Sequence, residues 1–401
     1  MSLLPSPALY AHTVFDSWRS ISVAIYMALV GYGVMVGIPV ISTAWVDLLG
    51  FTEVQVGRVA GADLGGFSVG AVFASTVVAR VNRRLLVLLG ATIAIAANGL
   101  CMVVQTYEGT LVLRSIAGVG SGVYTAVAIA TLAGTARPAR AFNILLFAFA
   151  FSQGGELLIL PMLHMDGIYL FFIGTYLLGL VFIHWLPSGP VEKALEPQPQ
   201  EASAPDSGFQ VPNYIPWLVL AAVVFTYLNI GAYWTYIELA SVASEASPDW
   251  VSKLLVFTSV FSVIGCACAT LISNRFGLAR PLLVTLVVQA VIVAMLANGI
   301  NNLNVMISMF SFNFCWIFVD VYQSATVANI DRSGRFAALM PGAQGLGQIL
   351  GPNLAASILA AGMGYGSVFV LCAAASLVAF AIYLLMYLRL RQILPVLADA
   401  S

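Results

Sequence analysis

Charged side chains are scarce in this 401-residue chain. Asp, Glu, Lys and Arg together make up 8% of it, and lysine occurs only at positions 193 and 253. A soluble domain carries about 25% charged residues, so the composition excludes an ordinary soluble protein. Hydrophobic residues make up 61% of the sequence and the mean hydropathy is +0.97, which is typical of a polytopic membrane protein. The formal net charge of -1 gives no reason to expect a nucleic-acid partner.

Histidine and cysteine are also few. The histidines, at 12, 164 and 184, lie in the tail or at helix ends, and the cysteines, at 101, 266, 268, 315 and 372, all fall inside apolar segments. Buried cysteines of this kind behave as small hydrophobic residues. We therefore predict no metal site and no disulfide. The sequence contains no phosphate-binding loop or other ATPase signature, so we expect no cofactor, and any transport would draw on an ion gradient.

Long apolar runs account for most of the chain. Twelve runs are long enough to cross a bilayer as helices, at about 19–46, 54–79, 85–104, 110–134, 142–163, 168–186, 214–239, 251–272, 281–300, 305–328, 336–360 and 367–388. Between the sixth and seventh runs the sequence is rich in proline, glutamate, glutamine and serine, which is typical of a flexible linker. We predict an all-α membrane protein with an N-terminal six-helix bundle (1–186), a cytoplasmic linker (187–212) and a C-terminal six-helix bundle (213–401).

The basic residues predict the orientation. With both termini in the cytoplasm, thirteen of the 16 Lys and Arg residues are cytoplasmic: Arg19, Arg80, Arg83, Arg84, Arg137, Arg140, Lys193, Arg275, Arg280, Arg332, Arg335, Arg389 and Arg391. The positive-inside rule favours this topology. We expect a multi-pass protein of the cell (inner) membrane that works as a monomer.

The two halves repeat each other. A shift of 195 residues places Arg58 on Lys253 and Gly70 on Gly265. The same shift aligns three more arginine pairs, Arg80 with Arg275, Arg137 with Arg332 and Arg140 with Arg335. Basic cytoplasmic loops explain the residue type but not the single offset, so an internal repeat of two six-helix bundles is the economical interpretation.

The stretch from Leu111 to Gly134 combines an apolar run with a cation. Small residues recur every four positions along it and share one helix face, where a neighbouring helix can approach closely: Gly118, Gly122, Ala126, Ala130 and Gly134. Burying the Arg114 guanidinium in hydrocarbon costs from about 3 to about 15 kcal/mol, so a carboxylate, water or an anionic substrate must face it. Arg114 either anchors neighbouring helices or lies in a transport pathway.

The pattern Arg114-x-x-x-Gly118-x-Gly120-x-Gly122 resembles the fourth-helix motif of the major facilitator superfamily. At the level of helix count, repeat and linker, the resemblance covers the whole chain. It implies that helices 1, 2, 4 and 5 with 7, 8, 10 and 11 surround a central cavity.

Two loops resemble the cytoplasmic signature of the same superfamily, Asp-Arg-x-Gly-x-x-Arg. The loop after the eighth run matches at Arg275, Gly277 and Arg280, with Asn274 in place of the aspartate. The loop after the second run keeps Arg80 and Arg84 but has Ala79 in place of the aspartate. The resemblance implies a gating role for these residues. The loss of both acids argues against a charged latch between the halves.

Few ionisable groups fall within the apolar runs. Apart from Arg19, Arg58 and Lys253 near the ends of their runs, the charged side chains are Asp63, Arg114, Glu156, Glu238 and Asp320, and we expect Glu238 to be solvated at the outer surface. Arg114 is predicted to pair with Asp63 or Glu156. An unpaired carboxylate in a dry site favours its protonated form, which a proton carrier requires. Asp320, Glu156 and Asp63 are therefore the candidate proton-coupling residues.

Polar side chains on apolar helices predict a substrate site. Asn313, Trp316 and Asp320 are spaced three and four apart, so they share a helix face. The predicted substrate-binding residues are Arg114, Asn229, Tyr233, Asn313, Trp316, Gln344 and Gln348.

A proton-coupled secondary active transporter is the leading functional interpretation. It would carry a small organic solute, amphipathic or carboxylate-bearing, by alternating access, with protons, the solute and the lipid bilayer as its partners. Alternatives are a drug or metabolite efflux antiporter of the same fold and a non-transporting membrane sensor. Gly120-Ser121-Gly122 faintly resembles an intramembrane serine protease, but the histidines that follow it, at 164 and 184, lie at helix ends and not within a membrane segment where one could act as base, so we predict no enzyme.

Overall fold

Twelve α-helices make up the part of the chain that the computed structural model describes, residues 14–188, 212, 214–244, 246–272, 275–330 and 335–393. They are α1 (Trp18–Leu49), α2 (Glu53–Val77), α3 (Arg83–Val103), α4 (Tyr107–Ala133), α5 (Pro138–Ile159), α6 (Met165–Val181), α7 (Tyr214–Val242), α8 (Pro248–Ile272), α9 (Ala279–Ala294), α10 (Asn302–Ile330), α11 (Arg335–Ala360) and α12 (Gly364–Ile393). Single turns of 3-10 helix follow α5 and α6, at Leu160–Met162 and Ile183–Trp185.

Capping side chains set several of the helix ends. The Thr52 hydroxyl accepts a hydrogen bond from the Gln55 amide (3.3 Å), and the Gln55 side chain accepts one from the Thr52 amide (2.9 Å), a capping box that begins α2. Thr106 caps α4 by accepting from the Gly109 amide. Helix α1 ends where Gly50 adopts a φ of 70°, a left-handed conformation that favours glycine.

The helices are those of a multi-pass membrane protein. Within the described ranges, nine helices are long and apolar enough to span a bilayer, and α6 and α9 are apolar but shorter. They form two six-helix bundles, α1–α6 and α7–α12, which confirms the predicted fold class. The predicted linker lies almost entirely outside the described residues, so the proposed domain boundaries stay a prediction.

Small residues allow α4 to pack tightly against its neighbours. A Cβ added at Gly118 would collide with the Asp63 carbonyl oxygen of α2, and one added at Gly122 would collide with that of Phe67. On another face of α4, a Cβ at Gly120 would lie 2.6 Å from the Ala94 nitrogen of α3. The predicted close approach of a neighbouring helix is therefore confirmed at Gly118 and Gly122.

The two ends of the helices define two sides of the molecule. We call the side on which α1 begins and α12 ends the terminal side, and the side on which α1 ends and α2 begins the opposite side. Hydrogen bonds join the bundles on the opposite side, where Arg58 of α2 donates to Asn353 Oδ1 (2.8 Å) and to Ser357 Oγ (2.9 Å) of α11. The Tyr236 hydroxyl of α7 donates to the Glu53 carbonyl oxygen of α2 (2.8 Å).

A cavity separates α5 and α8 on the terminal side. We call it the α5–α8 cavity; its wall includes Leu146, Phe147, Phe149, Ala150, Ser262, Val263, Ala267, Thr270 and Leu271. The volume of the cavity is about 350 Å³. The structure thus has bundles joined on the opposite side and parted between α5 and α8 on the terminal side.

Candidate functional site

Arg114 is held in a buried polar cluster inside the N-terminal bundle. It is 1% exposed, and its Nε donates to Asp63 Oδ2 of α2 (2.6 Å), with Nη2 in an ion pair to the same oxygen. Its Nη1 donates to Asn98 Oδ1 of α3 (2.7 Å). The Tyr169 ring of α6 lies 6.0 Å from the guanidinium carbon. Of the two predicted partners, Asp63 is therefore the one that pairs with Arg114, and Glu156 is not.

Glu156 is a buried carboxyl of α5 that lies against the backbone of α1. It is 6% exposed, and its Oε1 has no hydrogen-bond partner among the described residues. A Cβ added at Gly37 would lie 2.7 Å from Oε1, and one added at Gly33 would lie 3.4 Å from Oε2. Two glycines one turn apart thus leave the space that the carboxyl occupies.

Asp320 lies where three helices of the C-terminal bundle meet. The Tyr227 hydroxyl of α7 donates to Asp320 Oδ1 of α10 (2.7 Å), and the Gln344 amide of α11 donates to the same oxygen (3.0 Å). Gln344 also donates to the Tyr227 oxygen (2.9 Å). Asp320 is half-buried, and in the described part of the chain no cation forms an ion pair with it. We call Asp320, Tyr227 and Gln344 the Asp320 cluster.

Trp316 and Gln348 lie at the boundary between the bundles. Together with Met35 of α1 and Trp234 of α7 they line a very small cavity of about 10 Å³. The Gln348 amide lies 3.1 Å from Met35 Sδ, and the Trp234 indole donates to the Val36 carbonyl oxygen (3.2 Å). Trp316 and Gln348 therefore both lie between the bundles. Each is four positions along its helix from a member of the Asp320 cluster, Asp320 or Gln344.

Asn313 takes part in a second contact region between the bundles. Its Nδ2 donates to the Met309 carbonyl oxygen in its own helix (3.0 Å). The Ser262 hydroxyl of α8 lies 3.5 Å from Asn313 Oδ1 and 3.5 Å from Gln153 Oε1 of α5. Asn313 and Trp316 thus both face inward, as their shared face predicts, but they contact different helices.

Asn229 and Tyr233 do not face the space between the bundles. The Asn229 amide donates to Ser376 Oγ of α12 (2.8 Å), and the Tyr233 hydroxyl lies 2.9 Å from Ser308 Oγ of α10. The Tyr233 ring stacks on Phe312 at 3.7 Å. In this conformation these side chains pack inside the C-terminal bundle, and their predicted role in binding a solute stays a prediction.

Glu238 also differs from expectation. We expected it to be solvated, but it is 7% exposed and its Oε2 has no hydrogen-bond partner among the described residues. Helix α7 is packed on every side near this position, so the end of the apolar run is not the end of the buried region. In the described part of the chain no group of three or more His, Cys, Asp or Glu side chains is arranged to hold a metal ion.

The predicted gating residues lie at the terminal side. Arg84 Nε donates to the Leu186 carbonyl oxygen (2.7 Å) and joins the start of α3 to the end of the N-terminal bundle. Arg80, Arg275 and Arg280 are exposed. Gly277 has a φ of 69°, which explains a glycine at this turn. Asn274 lies outside the described residues, and the gating role stays a prediction.

Two important residues were not selected from the sequence. Tyr227 completes the Asp320 cluster, and Asn98 holds Arg114. The signal for Asn98 was available, since an amide within the apolar run of α3 needs a polar partner. Tyr227 carried no comparable signal, because an aromatic residue within an apolar helix usually belongs to the core.

The architecture and the Arg114 motif define a class, the transporters built from two six-helix bundles. The family profile of the Major Facilitator Superfamily matches residues 22–352, and the chain belongs to this superfamily. None of the curated proteins compared with the chain matches it in sequence.

Solved structures of transporters share the fold. The chain is 15% identical to a mutant form of the nucleoside transporter NupG, with a TM-score of 0.71 over 92% of this chain and 98% of that one. It is 15% identical to a bacterial homologue of the human drug peptide transporters PepT1 and PepT2, with a TM-score of 0.70 over 96% and 99% of the two chains. At this identity the likeness concerns the fold alone.

Proposed function

We propose that the chain is a proton-coupled secondary active transporter that moves a small organic solute by alternating access. The observation that carries the proposal is the Asp320 cluster, a half-buried carboxyl between three membrane helices that accepts hydrogen bonds from two neutral donors. A carboxyl without a cation partner in such a place can gain and lose a proton as its solvation changes. Tyr227 and Gln344 are also suited to bind the polar part of a solute.

The conformation supports a route to this cluster from the terminal side. The bundles are joined at Arg58 and Asn353 on the opposite side, and they part between α5 and α8 on the terminal side. Under the positive-inside rule the terminal side is the cytoplasm. We propose that the protein lies in the cell membrane with both termini cytoplasmic, works as a monomer, and alternates by rocking the two bundles.

The contacts of Arg114 bear on the class of solute. Its guanidinium already binds Asp63 and Asn98, so a solute carboxylate would have to displace these partners. The residues between the bundles, Trp316, Gln344 and Gln348, offer an aromatic ring and two amides instead. These groups favour a neutral or amphipathic solute that combines flat apolar surface with hydrogen-bonding groups. NupG, a nucleoside transporter, shares the fold, but at 15% identity its solute does not indicate the solute of this chain.

Exchange and accumulation in proteoliposomes test the proposal. A thermal-shift screen of nucleosides, dipeptides and aromatic metabolites first selects the solute that stabilises the purified protein most. We expect Asp320→Asn to retain exchange of labelled for unlabelled solute, because exchange needs no net proton movement, and to lose accumulation driven by a pH gradient.

The matched control is Glu238→Gln, which removes another buried carboxyl of the C-terminal bundle and should leave accumulation at the wild-type level. Normal accumulation by Asp320→Asn would reject Asp320 as the coupling group and leave Glu156 as the next candidate. A wild-type protein that binds the solute but performs no exchange would be a sensor and not a carrier.

A further inference from the structure

The α5–α8 cavity is lined by no residue of the Asp320 cluster and by neither Trp316 nor Gln348. Its wall consists almost wholly of apolar side chains, among them Leu146 and Phe149 of α5 and Val263 of α8. Phe147 and Leu271, on its two walls, are 60% and 82% exposed. Both helices are apolar and long enough to span a bilayer, so exposed apolar side chains on them are suited to contact hydrocarbon.

Two arginines stand at the terminal-side ends of the same helices. Arg140 lies in the first turn of α5, and Arg275 follows Ile272, the last residue of α8; both side chains are exposed. At the end of a membrane helix such side chains reach the level of the lipid headgroups. A guanidinium binds phosphate through two parallel hydrogen bonds. An apolar cavity below and two cations above are complementary to an anionic lipid.

We propose that the α5–α8 cavity binds one acyl chain of an anionic phospholipid, whose phosphate lies at Arg140 and Arg275. The bilayer supplies such chains at the open side of the cavity at high local concentration. The inference concerns a site separate from the Asp320 cluster and does not depend on the identity of the transported solute.

A bound chain would stabilise the conformation described above. Further along the same two helices, α5 and α8 pack closely, and a Cβ added at Gly154 would lie 3.1 Å from Ser259 Oγ. To close the terminal side, α5 and α8 must meet along the cavity as well, which requires the acyl chain to leave. The lipid thus binds one conformation more tightly than the other and shifts the equilibrium toward it.

Photo-crosslinking of lipid to the reconstituted full-length protein tests the site. The probe is phosphatidylglycerol with a diazirine in one acyl chain, present as a small fraction of phosphatidylcholine vesicles, and mass spectrometry maps the labelled residues. We expect labels to concentrate on residues 146–150 and 262–271. They should be about fivefold or more stronger than with equally labelled phosphatidylcholine, given the attraction of each arginine for anionic lipid. Even labelling of these residues and of exposed positions such as Leu88 and Val291 would overturn the proposal.

Substitutions distinguish the binding site of the lipid acyl chain from the binding site of its phosphate headgroup. Ala267→Trp and, independently, Thr270→Trp fill the cavity from α8 and should abolish labelling of residues 146–150. Ile264→Trp is the control, because Ile264 is 41% exposed on the same helix but does not line the cavity. Retained labelling in both filling variants would show that the chain lies elsewhere. Arg140→Gln with Arg275→Gln should keep acyl labelling but lose the preference for phosphatidylglycerol, and an unchanged preference would reject the phosphate site.

Discussion

The ion pair of Arg114 and Asp63 is the most deeply buried charge interaction of the described residues. Both side chains are almost fully buried, and Asn98 binds a second edge of the guanidinium. Removing one partner of such a pair leaves the other charge buried and uncompensated, which costs about 3–5 kcal/mol. We therefore expect Arg114→Ala to lower the free energy of unfolding by about this amount, measured by chemical denaturation in detergent micelles.

Two further variants of the Arg114–Asp63 pair serve as controls. Arg114→Lys keeps the charge but loses the planar fork that reaches both Asp63 and Asn98, so its stability should lie between those of the wild type and Arg114→Ala. Asp63→Asn combined with Arg114→Ala removes the stranded carboxylate and should recover part of the loss. An Arg114→Ala protein as stable as the wild type would mean that the pair does not hold α2 and α4 together.

The position of Glu156 depends on a glycine of the neighbouring helix. A Cβ added at Gly37 would lie 2.6 Å from Leu160 Cδ1 and 2.7 Å from Glu156 Oε1, so Gly37→Ala should displace the carboxyl and overpack the contact. Overpacking costs about 1–3 kcal/mol. We expect a lower melting temperature and reduced transport. Gly33→Ala is the matched control, because its nearest contact is 3.0 Å, to Phe172, and its effect should be smaller. Equal effects of the two substitutions would contradict this explanation.

At the scale of elements, the contact of α2 with α11 holds the opposite side closed. Arg58 makes three hydrogen bonds to Asn353 and Ser357. A hydrogen bond to a charged group contributes about 1.5–3 kcal/mol, so Arg58→Ala should raise the population open to the opposite side by about tenfold or more. Distances between spin labels at the ends of α2 and α11 measure this population.

Lys253→Ala is the control for this prediction. Lys253 corresponds to Arg58 in the internal repeat and is exposed at the same side of the molecule, at the start of α8. Its removal should leave the label distances unchanged. Equal distance distributions for Arg58→Ala and the wild type would show that the arginine does not hold the two helices together.

The existence and order of the helices could be predicted from the sequence, whereas the direction of their faces could be predicted only in part. Apolar runs of bilayer length specify helices regardless of what surrounds them. The small-residue face of α4 was also predictable, because glycines four positions apart, such as Gly118 and Gly122, allow the backbone of a neighbouring helix to approach closely. Helix α7 is different: it is apolar all round, so nothing in its sequence indicates that Asn229 and Tyr233 point into their own bundle.

The residues that pair with the buried charges could not be predicted from the sequence alone, because the pairing depends on how the helices pack. The sequence allowed either Asp63 or Glu156 to pair with Arg114. The close approach of α2 to α4 decides for Asp63, and this approach is a property of the assembled bundle. Asp320 could be selected because no cation lies in the interior of a neighbouring run, but its donors come from α7 and α11. The cluster therefore depends on contacts between residues 93 and 24 positions apart in the chain.

At the scale of the whole molecule, we expect the two bundles to associate without a continuous chain. The hydrogen bonds from Arg58 and Tyr236 and the packing of α2 against α11 join them directly, and the predicted linker at 187–212 is polar and proline-rich. Residues 1–199 and 200–401, expressed together as separate chains, should co-purify and retain transport. Arg58→Ala in the split protein should weaken the association. Stable halves that fail to associate would contradict the prediction.

Asp320 is proposed to carry the proton that crosses the membrane with the solute. A pH-sensitive dye enclosed in proteoliposomes tests this role most directly, since it reports proton movement when the solute is added with no initial pH gradient. We expect solute addition to change the internal pH with the wild type and with Glu238→Gln. We expect no change with Asp320→Asn, although this variant still exchanges labelled solute. A proton signal of wild-type size from Asp320→Asn would contradict the proposed role.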